Sequence, residues 1–151
     1  MTSLSTYSKK RNLKSSKEPS VKIKSSSSKN IFVVHEHFAS HHHFDLRLEM
    51  NGVLKSWAIP KSPPLTKENK RLAIQVEDHP LAYANFHGVI PEGNYGAGKV
   101  IIWDKGKYNL IEKTSKKIEF VLHGKKLKGD YVLIRTNYGS KPEKSWLFFK
   151  I

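Results

Sequence analysis

With 151 residues and a formal net charge of +14, the chain is sized for a single domain with a real core and calls for a polyanionic partner, nucleic acid or an anionic membrane surface. The absence of cysteine excludes disulfides, thiolate zinc sites and cysteine nucleophiles, and suits a reducing compartment. No apolar run is long enough to span a bilayer and the N-terminus lacks the h-region of a secretory signal, so a soluble cytoplasmic protein without a membrane partner is expected.

Residues 1–30 hold ten Ser, eight Lys or Arg and one acid, Glu18, and so carry +7, half of the net charge. So polar a segment buries too little apolar area to offset its ordering entropy, and residues 1–29 are expected to form a basic flexible arm ahead of a domain at 30–151. From Asn30 short apolar runs alternate with turn signals. FVV (32–34) leads into HEHFASHHHFDLRLEM (35–50), where His43, Asp45, Arg47 and Glu49 share one face of a strand and Phe44, Leu46, Leu48 and Met50 the other. Asn51-Gly52 then predicts a type I′ hairpin into VLKSWAIP. In RLAIQVED (71–78) and the residue that follows, Gln75, Glu77 and His79 share a parity opposed by Ile74 and Val76. GVIPEGNYGAGK (88–99) reads as a long shaped loop, and separate strands are predicted at 99–104, 107–112, 117–124, 130–136 and 145–150. No segment keeps helical periodicity over three turns. The pattern predicts an all-β fold: an antiparallel barrel of seven or eight strands with long loops. If the apolar strand face packs outside, under loops or the arm, the ionisable face lines a polar interior or cleft.

Burying an uncompensated charge costs several kcal/mol, so such a row implies that its members bind one another, a metal or an anion. His43 and Asp45, about 7 Å apart along one face, can reach a single ion. His37 would lie roughly 20 Å from His43 on a straight strand. Either the chain folds back at Ala39-Ser40 or His37 is not a ligand; the fold-back is favoured because two imidazoles and a carboxylate make a familiar site for a divalent ion. Arg47, Lys61, Arg71 and His79 lie on or beside the same face, too many cations for one ligand set and well suited to phosphate oxygens. A metal beside an anion clamp suggests phosphoester hydrolysis, with His43 or His79 protonating the leaving oxygen and Tyr83 donating to phosphate.

Two other readings share some of these features. In a non-catalytic single-strand-binding barrel, Trp57, Tyr83, Trp103 and Trp146 would be the stacking surfaces. A 2-His-1-carboxylate iron oxygenase has the same ligand types, but the surrounding Arg and Lys suit it less.

Three segments, FVVHEHFASHHHFDLRLEMNGVLKSWAIPKSP, KRLAIQVEDHPLAYANFHGVIPEGNYGAGKVIIWDKGKY and LIRTNYGSKPEKSWLFFK, resemble the 3′-phosphoesterase module of bacterial DNA ligase D and its stand-alone relatives. The resemblance implies a metal-dependent β-barrel enzyme that trims 3′ ends at DNA breaks. It removes a terminal ribonucleoside and then the 3′-phosphate, which leaves a 3′-hydroxyl. By position it makes His37, His43 and Asp45 metal ligands, with manganese the expected ion and zinc or cobalt the alternatives. It sets Arg47, His79, Lys61, Arg71 and Tyr83 around the phosphate and Glu77 on a cation or the ribose. Within YSKKRNLKSSKEP, Arg11 and Glu18 match arm residues that complete the diesterase site, whereas Asn12 stands where the family usually has Asp. The partners implied are DNA or DNA/RNA 3′ ends at primer-templates, together with a DNA ligase, a polymerase and an end-binding protein. A monomer is the default.

Overall fold

The computed structural model describes residues 30–93, 97–137, 139 and 142–151. Arg11, Asn12, Glu18 and the rest of the expected arm lie outside the described residues, as do positions 94–96 of the glycine-rich segment. The strands, in chain order, are β1 (Ile31–Phe38), β2 (His43–Met50), β3 (Val53–Ile59), β4 (Lys70–Pro80), β5 (Gly88–Ile90), β6 (Gly98–Lys113), β7 (Lys117–His123), β8 (Lys128–Arg135) and β9 (Ser145–Lys150). There is no α-helix among the described residues, and no helix there is long and apolar enough to cross a membrane.

All pairings are antiparallel, in the order β1-β2-β3-β4-β9-β8-β7-β6, and β6 returns to pair with β1. The eight strands thus close into a barrel, which leaves no open edge between its first and last members. The Asn51-Gly52 turn is formed with both residues at positive φ, 55° and 86°, as the β2–β3 hairpin requires. Glu49 fastens it by accepting the Gly52 N–H at 2.9 Å.

Two expectations about strand limits change. The runs at 99–104 and 107–112 form one sixteen-residue strand, because Gly106 stays in register opposite Phe32 of β1 and continues the ladder. Within the glycine-rich segment, Gly88–Ile90 adds a short strand to β6.

The orientation of the faces is the reverse of the expectation. Phe44, Leu46, Leu48 and Met50 point into the barrel, where they pack with Phe32, Val34, Ile59, Phe120, Tyr131 and Phe148. A closed barrel of this size has room for one packed core, and the large apolar side chains fill it. The ionisable face of β1–β3 is therefore the outer one. It is covered by the 3₁₀ turn Leu81–Asn85, whose Leu81, Tyr83 and Ala84 pack with Val33 and Leu54 in a second, smaller apolar cluster. Trp57 and Trp146 are buried in the main core and meet edge to face, so they are not surfaces on which a base could stack.

The second correction concerns β4. Ser56 pairs with Val76 and Leu54 with His79, so Lys55 faces two residues, Glu77 and Asp78. This bulge shifts the parity by one position. Val76 and His79 now share the outer face, while Gln75 turns inward opposite Trp57 and accepts the indole N–H of Trp146 at 3.2 Å. An ion pair of 3.0 Å from Lys55 to Asp78 holds the bulge.

A second bulge sets Trp103 as the extra residue of β6 against β1 and delivers Asp104 beneath the β7–β8 connection. The buried Asp104 carboxylate accepts the backbone N–H groups of Lys105, Lys125, Lys126 and Leu127 at 2.8–3.1 Å. Charged acceptors make the stronger hydrogen bonds, and buried N–H groups left without one are costly. Asp104→Ala is expected to lower the unfolding free energy by about 3 kcal/mol or more, read as a reduced urea midpoint at unchanged m-value.

Candidate metal and phosphate site

The site is built on the β1–β2 hairpin. The chain reverses after Phe38, so that His37 lies opposite His43 and His35 opposite Asp45. Six residues of sequence separation thereby become a cross-strand neighbour, with the two imidazole centroids 4.8 Å apart. One ligand atom from each of His37, His43 and Asp45 lies within 4.8 Å of the other two.

The chemistry of these donors suits a cation. The His41 carbonyl lies 2.9 Å from His43 Nδ1 and takes its N–H, so Nε2 turns a lone pair toward Asp45 Oδ2 at 3.3 Å. His37 Nδ1 lies 3.9 Å from the same oxygen. Electron-pair donors facing each other at this range need a proton or a metal ion between them. The His43 pKa moves upward for this reason: hydrogen bonding to Asp45 outweighs the burial that opposes it. Burial pushes Asp45 up, yet His43 and Arg47 more than offset it and leave the carboxyl below its ordinary value. Donor atoms about 3–4 Å apart are what bonds near 2.1 Å to one ion require, so small side-chain rotations suffice.

Arg47 lies one strand repeat further along β2, buried, with its guanidinium fixed on three nitrogens. Nε donates to His35 Nδ1 at 3.0 Å, Nη1 to Ser56 Oγ at 2.9 Å, and Nη2 reaches Asp45 Oδ2 at 3.4 Å. His79 Nδ1 is 3.2 Å from Nη1, brought there by the β4 bulge, and 3.1 Å from the Glu77 carbonyl oxygen. The Tyr83 ring covers the guanidinium, with its centroid 5.0 Å from Cζ, and stacks in turn on Phe86. One guanidinium thus joins the Asp45 carboxylate to His79 and Tyr83.

Burial, reinforced by Arg47, lowers both His35 and His79 to a pKa of about 4. Both imidazoles are neutral at pH 7. For His35 the tautomer follows from its bonds: Nδ1 accepts from Arg47 and Nε2–H donates to the Phe86 carbonyl at 2.9 Å. Burial raises Tyr83 above its usual value, so its hydroxyl stays protonated and able to donate.

His79 makes the stability of the fold depend on pH. A folded pKa near 4 lies below the free value of 6.5, so the unfolded chain takes up the proton first and stability falls as pH drops from about 6.5 toward 4. The facing groups are Arg47, Asp45, Ser56, Tyr83 and the Glu77 carbonyl. His79→Asn, which keeps a polar group near the Nδ1 position and does not titrate, is expected to make that part of the pH profile of the urea midpoint less steep, with His35, lowered in the same way, supplying the remainder.

The residues singled out in the sequence are placed as follows. His37, His43, Asp45, Arg47, His79 and Tyr83 converge. Lys61 and Arg71 are joined to this cluster by no contact among the described residues: Lys61 is exposed, three residues past Ala58, which faces Asp45, and Arg71 pairs with Phe148, on the opposite face of β4 from Ile74. Arg71 Nε donates to the Ser62 carbonyl at 2.7 Å, which ties the two segments together. Glu77 enters through its backbone carbonyl. Sequence reasoning missed His35, Ser56 and the Phe86 carbonyl. His35 carried a signal, since it shares the strand parity of His37; the other two carried none.

Residues 35–135, from the middle of β1 to the end of β8, match the DNA ligase D 3′-phosphoesterase domain. The chain belongs to that family. Among the relatives of this phosphoesterase domain, the multifunctional non-homologous end joining protein LigD of Pseudomonas aeruginosa is 45% identical over 97% of the chain. The LigD proteins of Mycobacterium tuberculosis and Mycolicibacterium smegmatis are 51% and 41% identical over 72% and 95% of it. In these three proteins the matched part is 18%, 15% and 20% of the length, so the chain spans a fifth of them or less.

Proposed function

We propose that the protein is a divalent-metal-dependent DNA 3′-phosphoesterase, which removes a 3′-phosphate, and a 3′-terminal ribonucleoside ahead of it, to leave a 3′-hydroxyl during the repair of DNA breaks. The observation that carries this reading is the contact of one buried guanidinium, Arg47, with both the His37–His43–Asp45 donor set and the His79–Tyr83 pair. The ion, for which manganese is proposed and zinc or cobalt are alternatives, would be held by His37, His43 and Asp45 and would neutralise charge on the phosphoryl oxygens.

The other roles fall to the chain's own side chains. Arg47 is held in one plane by His35, Ser56 and Asp45 before substrate arrives, so orienting a phosphate costs little reorganisation. The protonated Tyr83 hydroxyl donates to a phosphate oxygen. A phosphate dianion beside Arg47 offsets the cationic field that adds to burial in depressing His79, which therefore gains basicity and takes a proton from solvent as substrate binds; a water then attacks phosphorus in line, the bond to the sugar oxygen breaks, and the imidazolium protonates that oxygen, which leaves a 3′-hydroxyl and inorganic phosphate. The cations Lys61 and Arg71 receive the strand leading to the reacting end. Glu77 acts on the ribose, and Arg11 and Glu18 of the arm serve the ribonucleoside step, which is more sensitive than phosphate release to Asn12. The partners proposed are 3′ ends of primer-templates, with a ligase, a polymerase and an end-binding protein acting on the same break in the cytoplasm. The chain is proposed to act as a monomer.

The test is a 5′-labelled primer–template ending in a 3′-phosphate or in one ribonucleotide, incubated with Mn²⁺, Co²⁺, Zn²⁺, Mg²⁺ or a chelator. The expected result is conversion to a 3′-hydroxyl with Mn²⁺ and none with the chelator. A strand that is shifted on a gel but left unprocessed under every metal would instead support the non-catalytic binding barrel.

A further inference from the structure

Phe38 closes β1 immediately after His37 and is one of the exposed large apolar side chains of the described residues, with 43% of its surface in water. His42, immediately before His43, stacks on it with centroids 4.7 Å apart and planes only 9° from parallel. His42 Nε2 lies 2.8 Å from Glu36 Oε2, which fixes the imidazole in plane. The backbone beneath is equally constrained. Phe38 pairs with Lys99, and a Cβ on Gly98 would lie 2.3 Å from the Phe38 carbonyl oxygen, so only glycine allows β6 to come this close.

The stack continues inward. His42 tilts onto Phe44 at 5.4 Å, Phe44 meets Trp103 edge to face at 5.7 Å, and Lys126 Nζ lies 5.2 Å over the Trp103 ring. The result is a rigid pair of parallel rings with open surface, backed by aromatics and flanked by the exposed cations Lys99 and Lys126. Phe38 and His42 alternate with His37 and His43, so the ring pair lies at the hairpin end on the face opposite the metal set. An exposed phenyl held flat beside a basic surface has the form of a base-stacking surface, because any nucleobase offers a π face and its phosphates meet the lysines.

We propose that Phe38 and His42 form a stacking platform at the hairpin end for an unpaired nucleobase of the strand whose terminal phosphate lies at the site, so that the protein grips a frayed or single-stranded 3′ end by a base as well as by its phosphate. This rests on the reading of the site as a 3′-end phosphoesterase. It adds a binding surface that the phosphate chemistry itself does not require.

The test is fluorescence anisotropy at fixed salt with chelator present, so that no turnover intervenes. The probes are two fluorescein-labelled single strands ending in 3′-phosphate, one natural and one with abasic tetrahydrofuran units in place of the last three nucleosides. The full chain is expected to bind the natural strand about tenfold more tightly, the size of one stacking contact. Phe38→Ala should bring the natural strand to the abasic Kd, Phe38→Tyr should restore the difference, and all three proteins should bind the abasic strand alike. His42→Leu, which removes the second ring and leaves Phe38 in place, gives the same loss if Phe38→Ala does not fold.

Equal affinity of the full chain for the two strands would overturn the platform. So would an equal loss on both strands in Phe38→Ala, or concentration-dependent self-association through Phe38 with no dependence on the base. Phosphate release is a separate readout: its failure with base-dependent binding intact removes the enzymatic reading and not the platform.

Discussion

Asp45→Ala is expected to abolish 3′-phosphate release, with a fall of at least a thousandfold, the equivalent of ~4 kcal/mol of transition-state stabilisation. The carboxylate does two things at once. Its Oδ2 lies within 3.3–3.9 Å of a ring nitrogen of both His43 and His37, and it accepts from Arg47 Nη2 at 3.4 Å. Without it the two imidazoles lose the anionic member of the donor set, and the buried Arg47 loses its counter-charge. The second loss predicts a measurable drop in thermal midpoint, because an unpaired buried cation is costly. Asp45→Asn keeps the shape and an acceptor for Arg47 but not the counter-charge, so it should recover only part of the stability and little of the activity. Restored activity in Asp45→Asn would remove the carboxylate from the account.

Arg47→Lys should lower kcat by about 10²–10³-fold while the barrel stays folded. A lysine ammonium carries the same charge but cannot span His35, Ser56, Asp45 and His79 from one plane. Three groups that the guanidinium orders are then released: the Asp45 carboxylate, the His79 imidazole and the Tyr83 ring above it. Substrate binding, which also draws on the basic surface, is expected to weaken less than turnover. A fall confined to KM would reassign Arg47 to uniform phosphate binding.

Much of this was legible in the residues. Turn chemistry placed the Asn51-Gly52 hairpin, alternation exposed the ionisable row of β2, and the identity of the donors pointed to the reversal at Ala39-Ser40 before any register was known. What was not legible came from non-local constraints. Alternation separates two faces without saying which is inside, and only closure of the barrel around Phe120, Tyr131 and Phe148 settles it. The β4 bulge is invisible to a period-two reading, so Gln75 was grouped with His79 although the two face opposite ways. Lys105-Gly106 looked like a break because glycine usually marks one, whereas pairing to β1 carries the strand through. Trp57 and Trp146 were candidate stacking surfaces until packing placed them in the core. His35 was overlooked because its role depends on a carbonyl 51 residues away, that of Phe86.

The most direct measurement is anomalous diffraction at the manganese edge from crystals grown with Mn²⁺ and a phosphate-terminated oligonucleotide. The account predicts one strong peak about 2.2 Å from a nitrogen of His37, a nitrogen of His43 and an oxygen of Asp45, with the terminal phosphate between that peak and Arg47. A peak on the exposed His41 and His42 instead, or His37 turned away from an empty space between His43 and Asp45, would contradict it.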